Sequence, residues 1–395
     1  DNFKPDLGEA IDRWYGSRKL HLPRTTPLVF RPFSPSKREP AANGKSYEEG
    51  TNTLFCAQSY LSYTVNGLNL QHDFRQIFQD TMKYTVRTPS DPTRRYGSIV
   101  GSSFSEYYSD SIGKIGLIQE PGYKLRAVAN PGRVFQQALK PLGDSLFMLL
   151  RELPWDCTFN QVAPYEHIQS HLEEGKYCYA IDLSNATDCF PLSLQDYTLN
   201  LLYPDNLYNK LFHRLSRSNW LSNFQDKKVI SWKTGQPLGL YPSFASFALT
   251  HGFLLYSLNN FKHDNDFFVL GDDVIIMDES LYYRYRGFLS DCNIPFSPHK
   301  SIISNMITEF GGKLITKNEI IHQLKWRHLS DDNFMDLIGN FGHRLSRLLR
   351  PRQRKVFDKF KSLPEFLGGL GFNPEGIPLA DRVQRQYVTC DNTWS

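Results

Sequence analysis

A chain of 395 residues, 40% of them hydrophobic and 22% charged, holds enough apolar material for a folded protein of two or three subdomains, which excludes a disordered tail. The net charge of +4 is too mild to name a partner, and the six cysteines (Cys56, Cys157, Cys178, Cys189, Cys292, Cys390) form no close pair, which argues against a zinc site or disulfide framework and fits a reducing compartment. The longest apolar stretch, Phe247 to Leu258, contains Thr250, His251 and Ser257 and is shorter than the about 20 apolar residues a membrane span needs. No charged-then-apolar leader opens the chain, whose first residue is Asp1.

Residues 1–52 read as an extended arm, because Pro32, Pro35 and Pro40 punctuate a Ser/Lys-rich stretch ending at Gly44. Gly44-Lys45-Ser46 echoes the end of a phosphate-binding loop, but Glu39 stands where the first glycine is required. A helical pattern runs from Thr53 to about Tyr84, followed by a Pro/Ser/Gly-rich loop through Gly101. Gly122 to Val128 alternates basic and apolar residues, so in a strand Lys124 and Arg126 point the same way, an arrangement suited to a triphosphate. A second helix is predicted from Arg133 to Leu153, on the spacing of Leu139, Leu142, Leu146, Leu149 and Leu150. His167 and His171 sit four apart on a predicted helix, but with no third ligand a solvated face is the better reading.

From Lys176 to Ile315 short apolar runs alternate with helical segments, the signature of a mixed α/β unit. One strand-like run ends at Asp182, and Asp188 follows six residues later. Another segment, Phe267 to Met277, places Gly271-Asp272-Asp273 between two apolar runs, which predicts a β-hairpin with both carboxylates at its tip. Two acids between buried strands raise repulsion and desolvation cost, and a divalent cation would offset both. If the two strands lie side by side, Asp182 and the tip can bridge two magnesium ions about 4 Å apart, the geometry of in-line nucleotidyl transfer. The tripeptide alone is weak evidence. Its apolar flanks strengthen it, whereas Asp331-Asp332 lacks them and reads as the first turn of a helix capped by Ser330.

Between these segments, Thr234 to Ser243 carries Gly235, Gly239, Pro237 and Pro242 ahead of a helical run from Phe244 to Leu258. Such a loop lets backbone approach a ligand closely, or is an ordinary strand-to-helix connection capped by Ser243. Downstream, Lys300 falls at a strand edge and Thr308 to Lys313 forms a further turn-bounded strand. Between Arg344 and Lys361, the residues Arg344, Arg347, Arg350, Arg352, Arg354, Lys355, Lys359 and Lys361 are opposed only by Asp358, the footprint of a polyanion site or a solvated helix face.

In this order the segments resemble the signature set of positive-strand RNA polymerases of mitoviruses, narnaviruses and levivirus-like elements. Asp182 to Asp188 is similar to that group's Asp-Leu-Ser-x-Ala-Thr-Asp, and Gly235 to His251 to its Gly-Gln-Pro-x-Gly…Ala-Leu-Thr-His. Leu270 to Asp273 is similar to its Leu-Gly-Asp-Asp, Lys300-Ser301 and Glu309-Phe310 to its next elements, and Leu363-Pro364 with Leu367 to Gly371 to a later one. Many mitovirus sequences have Tyr-Ser-Ser-Trp at Tyr241 to Phe244, His-His at His251-Gly252, and Ala-Lys-Arg after the Glu-Phe pair, so the likeness is to the broad group.

The resemblance implies an α+β right-hand fold with an antiparallel palm sheet. Its parts would be an arm at 1–52, fingers at 53–175 and 191–234, palm at 176–190 and 235–325, and thumb at 326–395. It implies RNA-directed RNA synthesis from ribonucleoside triphosphates with two Mg²⁺ ions, Mn²⁺ being a substitute. By that resemblance Asp182 and Asp272 hold the metals with Asp273 assisting, and Lys300 protonates the leaving pyrophosphate. Lys124, Arg126 and Arg133 hold the triphosphate, and Asp188 and Ser243 sense the ribose. Gly235, Gln236, Arg347, Arg350, Arg354 and Lys355 contact RNA template or product. The host cell interior, cytoplasmic or mitochondrial matrix, is the implied location, with host protein partners left open. Two other readings remain: a reverse transcriptase, which usually has an aromatic residue where this chain has Leu270, and an inactive RNA-binding remnant, against which the intact acids and bases argue.

Overall fold

The computed structural model describes residues 5–22, 64–65, 68–69, 112–120, 124–131, 133–222, 228–322 and 328–382. They fall into two separately packed units, one of Asp1–Ile118 with Ala127–His322 and the other of Gln119–Arg126 with Gln323–Ser395.

The first unit opens with helix α1, Leu7–Tyr15, capped by Asp6, whose side chain accepts from the Glu9 N–H at 3.0 Å. Leu7, Ala10, Ile11 and Tyr15 recur at helical spacing and are buried, so part of the expected arm belongs to the core. Strands β1 (Thr64–Val65) and β2 (Leu68–Asn69) pair antiparallel, Thr64 with Asn69 and Val65 with Leu68. That corrects the helix expected there, and the rest of 53–84 lies outside the described residues. Next come β3 (Gly113–Glu120) and β4 (Lys124–Pro131), and then α2 (Arg133–Glu152), whose predicted leucines are all buried.

After α3 (Ala163–Glu173) follow β5 (Cys178–Ile181), α4 (Ala186–Cys189), α5 (Leu192–Leu202), α6 (Leu207–Arg217), β6 (Trp220–Ser222) and β7 (Val229–Ile230). Helix α7 (Ser243–Leu258) is apolar on every side and is buried throughout apart from Phe244. Its polar groups are matched inside the core: Thr250 Oγ1 donates to Ser246 O at 2.8 Å, and Ser257 Oγ accepts from Asp6 N–H at 2.6 Å. No described helix is long and apolar enough to cross a membrane.

Strands β8 (Phe267–Leu270) and β9 (Asp273–Ile276), helix α8 (Glu279–Asp291) and strand β10 (Ile302–Ser304) complete the central sheet, an antiparallel set in the order β10-β5-β9-β8. Side chains alternate across it. Tyr179, Ile181, Phe267, Val269, Val274 and Ile276 join the main core, which includes α7 and α8. Cys178, Phe268, Ile275 and Met277 join a second core with Tyr165 and Ile168 of α3. Burial on both faces explains why the runs around the aspartates read as continuously apolar. Each large side chain so buried stabilises the sheet by roughly 1.5–3 kcal/mol, making its end a rigid platform. Strands β11 (Ile307–Phe310), β12 (Lys313–Thr316) and β13 (Ile320–His322) form an adjoining meander.

In the second unit, α9 (Phe334–Phe341), a 3₁₀ turn at His343–Leu348 and α10 (Pro351–Phe360) enclose a small core of Phe334, Ile338, Leu349 and Phe357. The helix expected to start at Ser330 starts at Phe334 instead. The Ser330 N–H is bound by Asn333 Oδ1 at 2.8 Å and the Asp331 carboxylate accepts from Gln353 Nε2 at 2.8 Å, so these residues brace α10 rather than cap a helix.

Candidate active site

The β8–β9 connection is a two-residue turn, Gly271-Asp272, because Leu270 already pairs with Asp273. Gly271 has φ +63°, and a β-carbon there would press into the Phe244 ring, so the position requires glycine. The expectation of two tip carboxylates is therefore corrected: Asp272 stands exposed in the turn, whereas Asp273 is the first residue of β9 and only partly exposed. Antiparallel pairing of Ile181 with Val274 continues by one step to set Asp182, just beyond β5, opposite Asp273.

Asp182 is exposed, but its backbone is clasped. Its N–H donates to Ser301 Oγ at 3.2 Å, its carbonyl accepts from Ser297 N–H at 2.8 Å, and Ser301 Oγ donates to Ser297 O at 2.7 Å. Lys300, exposed between these two serines, thus shares the sheet end with the three aspartates.

Electrostatics separate the two neighbouring acids. Burial pushes Asp273 up to about 7; its bond from Gly311 N–H, 2.7 Å, pulls down, and the charges of Asp272, Glu309 and Asp182 push up again. Asp273 thereby ties the β8–β9 hairpin to the β11–β12 turn. Gly311 has φ +59°, beside Tyr165, whose hydroxyl donates to Phe310 O at 2.9 Å. Among the described residues no three His, Cys, Asp or Glu side chains converge as a metal-holding group. Of the expected trio, Asp182 and Asp272 are exposed, and Asp273 accepts from the Gly311 N–H through one carboxylate oxygen, Oδ2. Glu309 adds charge at this sheet end, a role that its alternation in a short strand did not signal.

The Gly235 to Ser243 loop packs directly on α4. Gln236 N–H donates to Thr187 O at 2.8 Å, and a β-carbon at Gly235 would press into the Thr187 and Asp188 backbone. Exposed Asp188 accepts from Trp232 Nε1–H at 2.7 Å, and Arg217 donates to the carbonyl of Trp232 at 3.0 Å. Two expectations are corrected here. Ser243 is 1% exposed and its hydroxyl donates to Pro237 O at 3.0 Å, while Gln236 is 0% exposed and its amide donates to Ser243 O at 3.0 Å. A loop built of glycine and proline leaves buried carbonyls without partners, and these side chains supply them. Gly235 likewise meets α4 backbone.

Arg126 of β4 pairs with Glu120 of β3, Nε to Oε1 at 2.8 Å. Lys124 opens β4 and Arg133 opens α2; their side chains lie outside the described residues. In the second unit Arg347, Arg350, Arg354 and Lys355 are all exposed, split between the 3₁₀ turn and α10, and Arg354 donates to Ser346 O at 3.2 Å.

Strand order and the placement of Asp182 beside the Gly271-Asp272 turn define the class: the palm of a right-hand polymerase fold, α+β, with an antiparallel sheet. Within it, the chain belongs to the mitovirus RNA-dependent RNA polymerase family, whose model matches residues 41–364. Over 212 residues it is 31% identical to the RNA-directed RNA polymerase of Cryphonectria parasitica mitovirus 1, a match covering 52% of this chain and 26% of that protein. An uncharacterized mitochondrial protein of Arabidopsis thaliana is 28% identical over 193 residues, covering 43% of this chain and 89% of that protein. Among solved structures, an insertion-loop deletion mutant of the RNA-dependent RNA polymerase of a human picorbirnavirus matches with TM-score 0.44 and 14% identity, covering 71% of this chain and 62% of that one. The family match sharpens the broad resemblance to mitoviruses despite the departures at Pro242, Gly252 and Gly311.

Proposed function

We propose that this chain catalyses template-directed RNA synthesis, adding ribonucleotides by nucleotidyl transfer in the replication of a positive-strand RNA genome. The observation that carries the reading is the juxtaposition of exposed Asp182 with the exposed Asp272 turn at one end of the palm sheet. Burial chiefly raises Asp273, and the charges of Asp272, Glu309 and Asp182 add to the rise, so several acids share this sheet end, a donor set that suits divalent cations. Magnesium in such sites is held by one or two carboxylates together with substrate phosphates, so a complete protein cage is not required.

Asp182 and Asp272 would hold two Mg²⁺ ions, for which Mn²⁺ is a substitute, and the ions when bound supply Lewis-acid stabilisation of charge on the transferring phosphate. Asp273 keeps the turn against the β11–β12 hairpin. Lys300 would give a proton to departing pyrophosphate, a reading supported by its exposure beside the residues that clasp Asp182. Asp188, steadied by Trp232, reads the ribose hydroxyl. Lys124, Arg126 and Arg133 neutralise the triphosphate, and the basic residues of the second unit hold RNA, a grip that weakens with salt as counterions are released. The mitochondrial matrix is the favoured compartment, since curated relatives carry mitochondrial in their names.

The test is incorporation of labelled nucleotides on a short RNA template with Mg²⁺, rNTPs beside dNTPs. Template-dependent use of rNTPs is expected. Preference for dNTPs would make the chain a reverse transcriptase, and RNA binding without synthesis would make it a remnant.

A further inference from the structure

His251 of α7 is fully buried, and both of its ring nitrogens are engaged: Nδ1 lies 2.9 Å from Gly271 O and Nε2 lies 2.7 Å from Tyr285 Oη. A carbonyl oxygen only accepts, so Nδ1 carries the proton; Nε2 is then the acceptor and the Tyr285 hydroxyl the donor. The result is a one-directional relay, from Tyr285 on α8 through His251 on α7 to the palm turn. The rings of Phe190, Phe247 and Tyr285 wall the imidazole at centroid distances of 6.0, 5.6 and 5.7 Å. Burial lowers His251 to about 4 and holds the Tyr285 hydroxyl well above its ordinary value, with Asp272 and Asp273 adding to the rise, so both groups keep these protons at neutral pH.

The carbonyl that His251 grips belongs to the peptide joining Gly271 to Asp272. Gly271, at φ +63°, is the one residue of this turn free of side-chain restraint, so rotation of that peptide is the cheapest way for the turn to redirect Asp272. We infer that His251 is a positioning residue that locks the Gly271–Asp272 peptide and thereby aims the Asp272 carboxylate, with the Tyr285 hydroxyl donating to Nε2 and holding the ring in place. The inference rests on the proposed role of Asp272. Hydrogen-bonded groups behind a ligand commonly set its orientation in this way, and their loss costs about 10- to 100-fold in activity.

The experiment compares parent, His251→Leu, His251→Asn and Tyr285→Phe by hydrogen exchange of the segment 268–275 and by single-nucleotide incorporation. Thermal melting of each variant verifies folding. Asparagine keeps an N–H near the Nδ1 position, and Tyr285→Phe keeps the ring, so these two guard against a merely disrupted core. In His251→Leu, exchange at the turn should quicken about tenfold, the equivalent of one buried hydrogen bond, while α2 keeps its protection. The kcat should fall about 10- to 100-fold with KM for the nucleotide within about twofold, and His251→Asn should recover most of both losses. Folded His251→Leu with unchanged exchange, or with quickened exchange and unchanged kcat, overturns the inference. A parent that makes no RNA counts against the polymerase reading instead, and the exchange measurement still decides whether His251 locks the turn.

Discussion

At the end of the β5–β9 ladder, Asp182 and Asp272 stand exposed while the backbone around them is held by Ser297, Ser301 and His251. In the loop from Gly235 to Ser243 the arrangement is inverted: Gln236 and Ser243 do the holding and are themselves buried. The difference follows from where the backbone finds partners. At the sheet end, backbone is held by groups from other segments, so the aspartates need not serve it, whereas the glycine- and proline-rich loop uses its own polar side chains to satisfy its own carbonyls.

The largest effect that would break this comparison is at the exposed acids. Asp272→Asn should leave the melting temperature near that of the parent yet slow incorporation by about 10³-fold, since a metal ligand acts through several kcal/mol of transition-state charge stabilisation. Lys300→Leu, measured as single-turnover rate against pH, should cost about 10²-fold or less; an unchanged rate would make it a surface lysine.

The next effect is on stability. His251 titrates at about 4 in the fold against an ordinary 6.5, so its contribution is complete above 6.5 and is lost as pH falls through 4. Denaturant midpoints of parent minus His251→Asn should therefore decline over that window, by about 3 kcal/mol at most. Asp273 has the opposite sign, its share being full below 3.8 and lost as pH rises through about 7, and it cancels in the subtraction. The smallest effect sharpens the loop side: Ser243→Ala should cost about 1 kcal/mol of stability, one buried hydrogen bond, and leave rNTP over dNTP selection unaltered. Asp188→Asn should change that selection.

The residues show what was legible in advance. Phe267 to Met277 announced its hairpin because apolar runs buried on both faces bracket a glycine that must take a positive φ. The buried leucines of α2 followed from their spacing. The side on which a polar residue falls was not legible where no period constrains it: Ser243 and Gln236 looked available and are not, and Asp273 looked like a second tip acid but pairs with Leu270. Helix α1 was hidden behind the prolines that follow it, although Asp6 and the Leu7-Ala10-Ile11 spacing carried the signal. His251 read as an interruption of an apolar run. Only the packing of α7 against the palm turn gives its ring a task.

The most direct test sets parent, Asp182→Asn, Asp272→Asn and Ser243→Ala side by side in single-nucleotide incorporation on an RNA template with Mg²⁺. Synthesis by parent and Ser243→Ala, with both aspartate variants folded and slowed by about 10³-fold, is the expected result. Aspartate variants that copy RNA at the parent's rate would contradict the account.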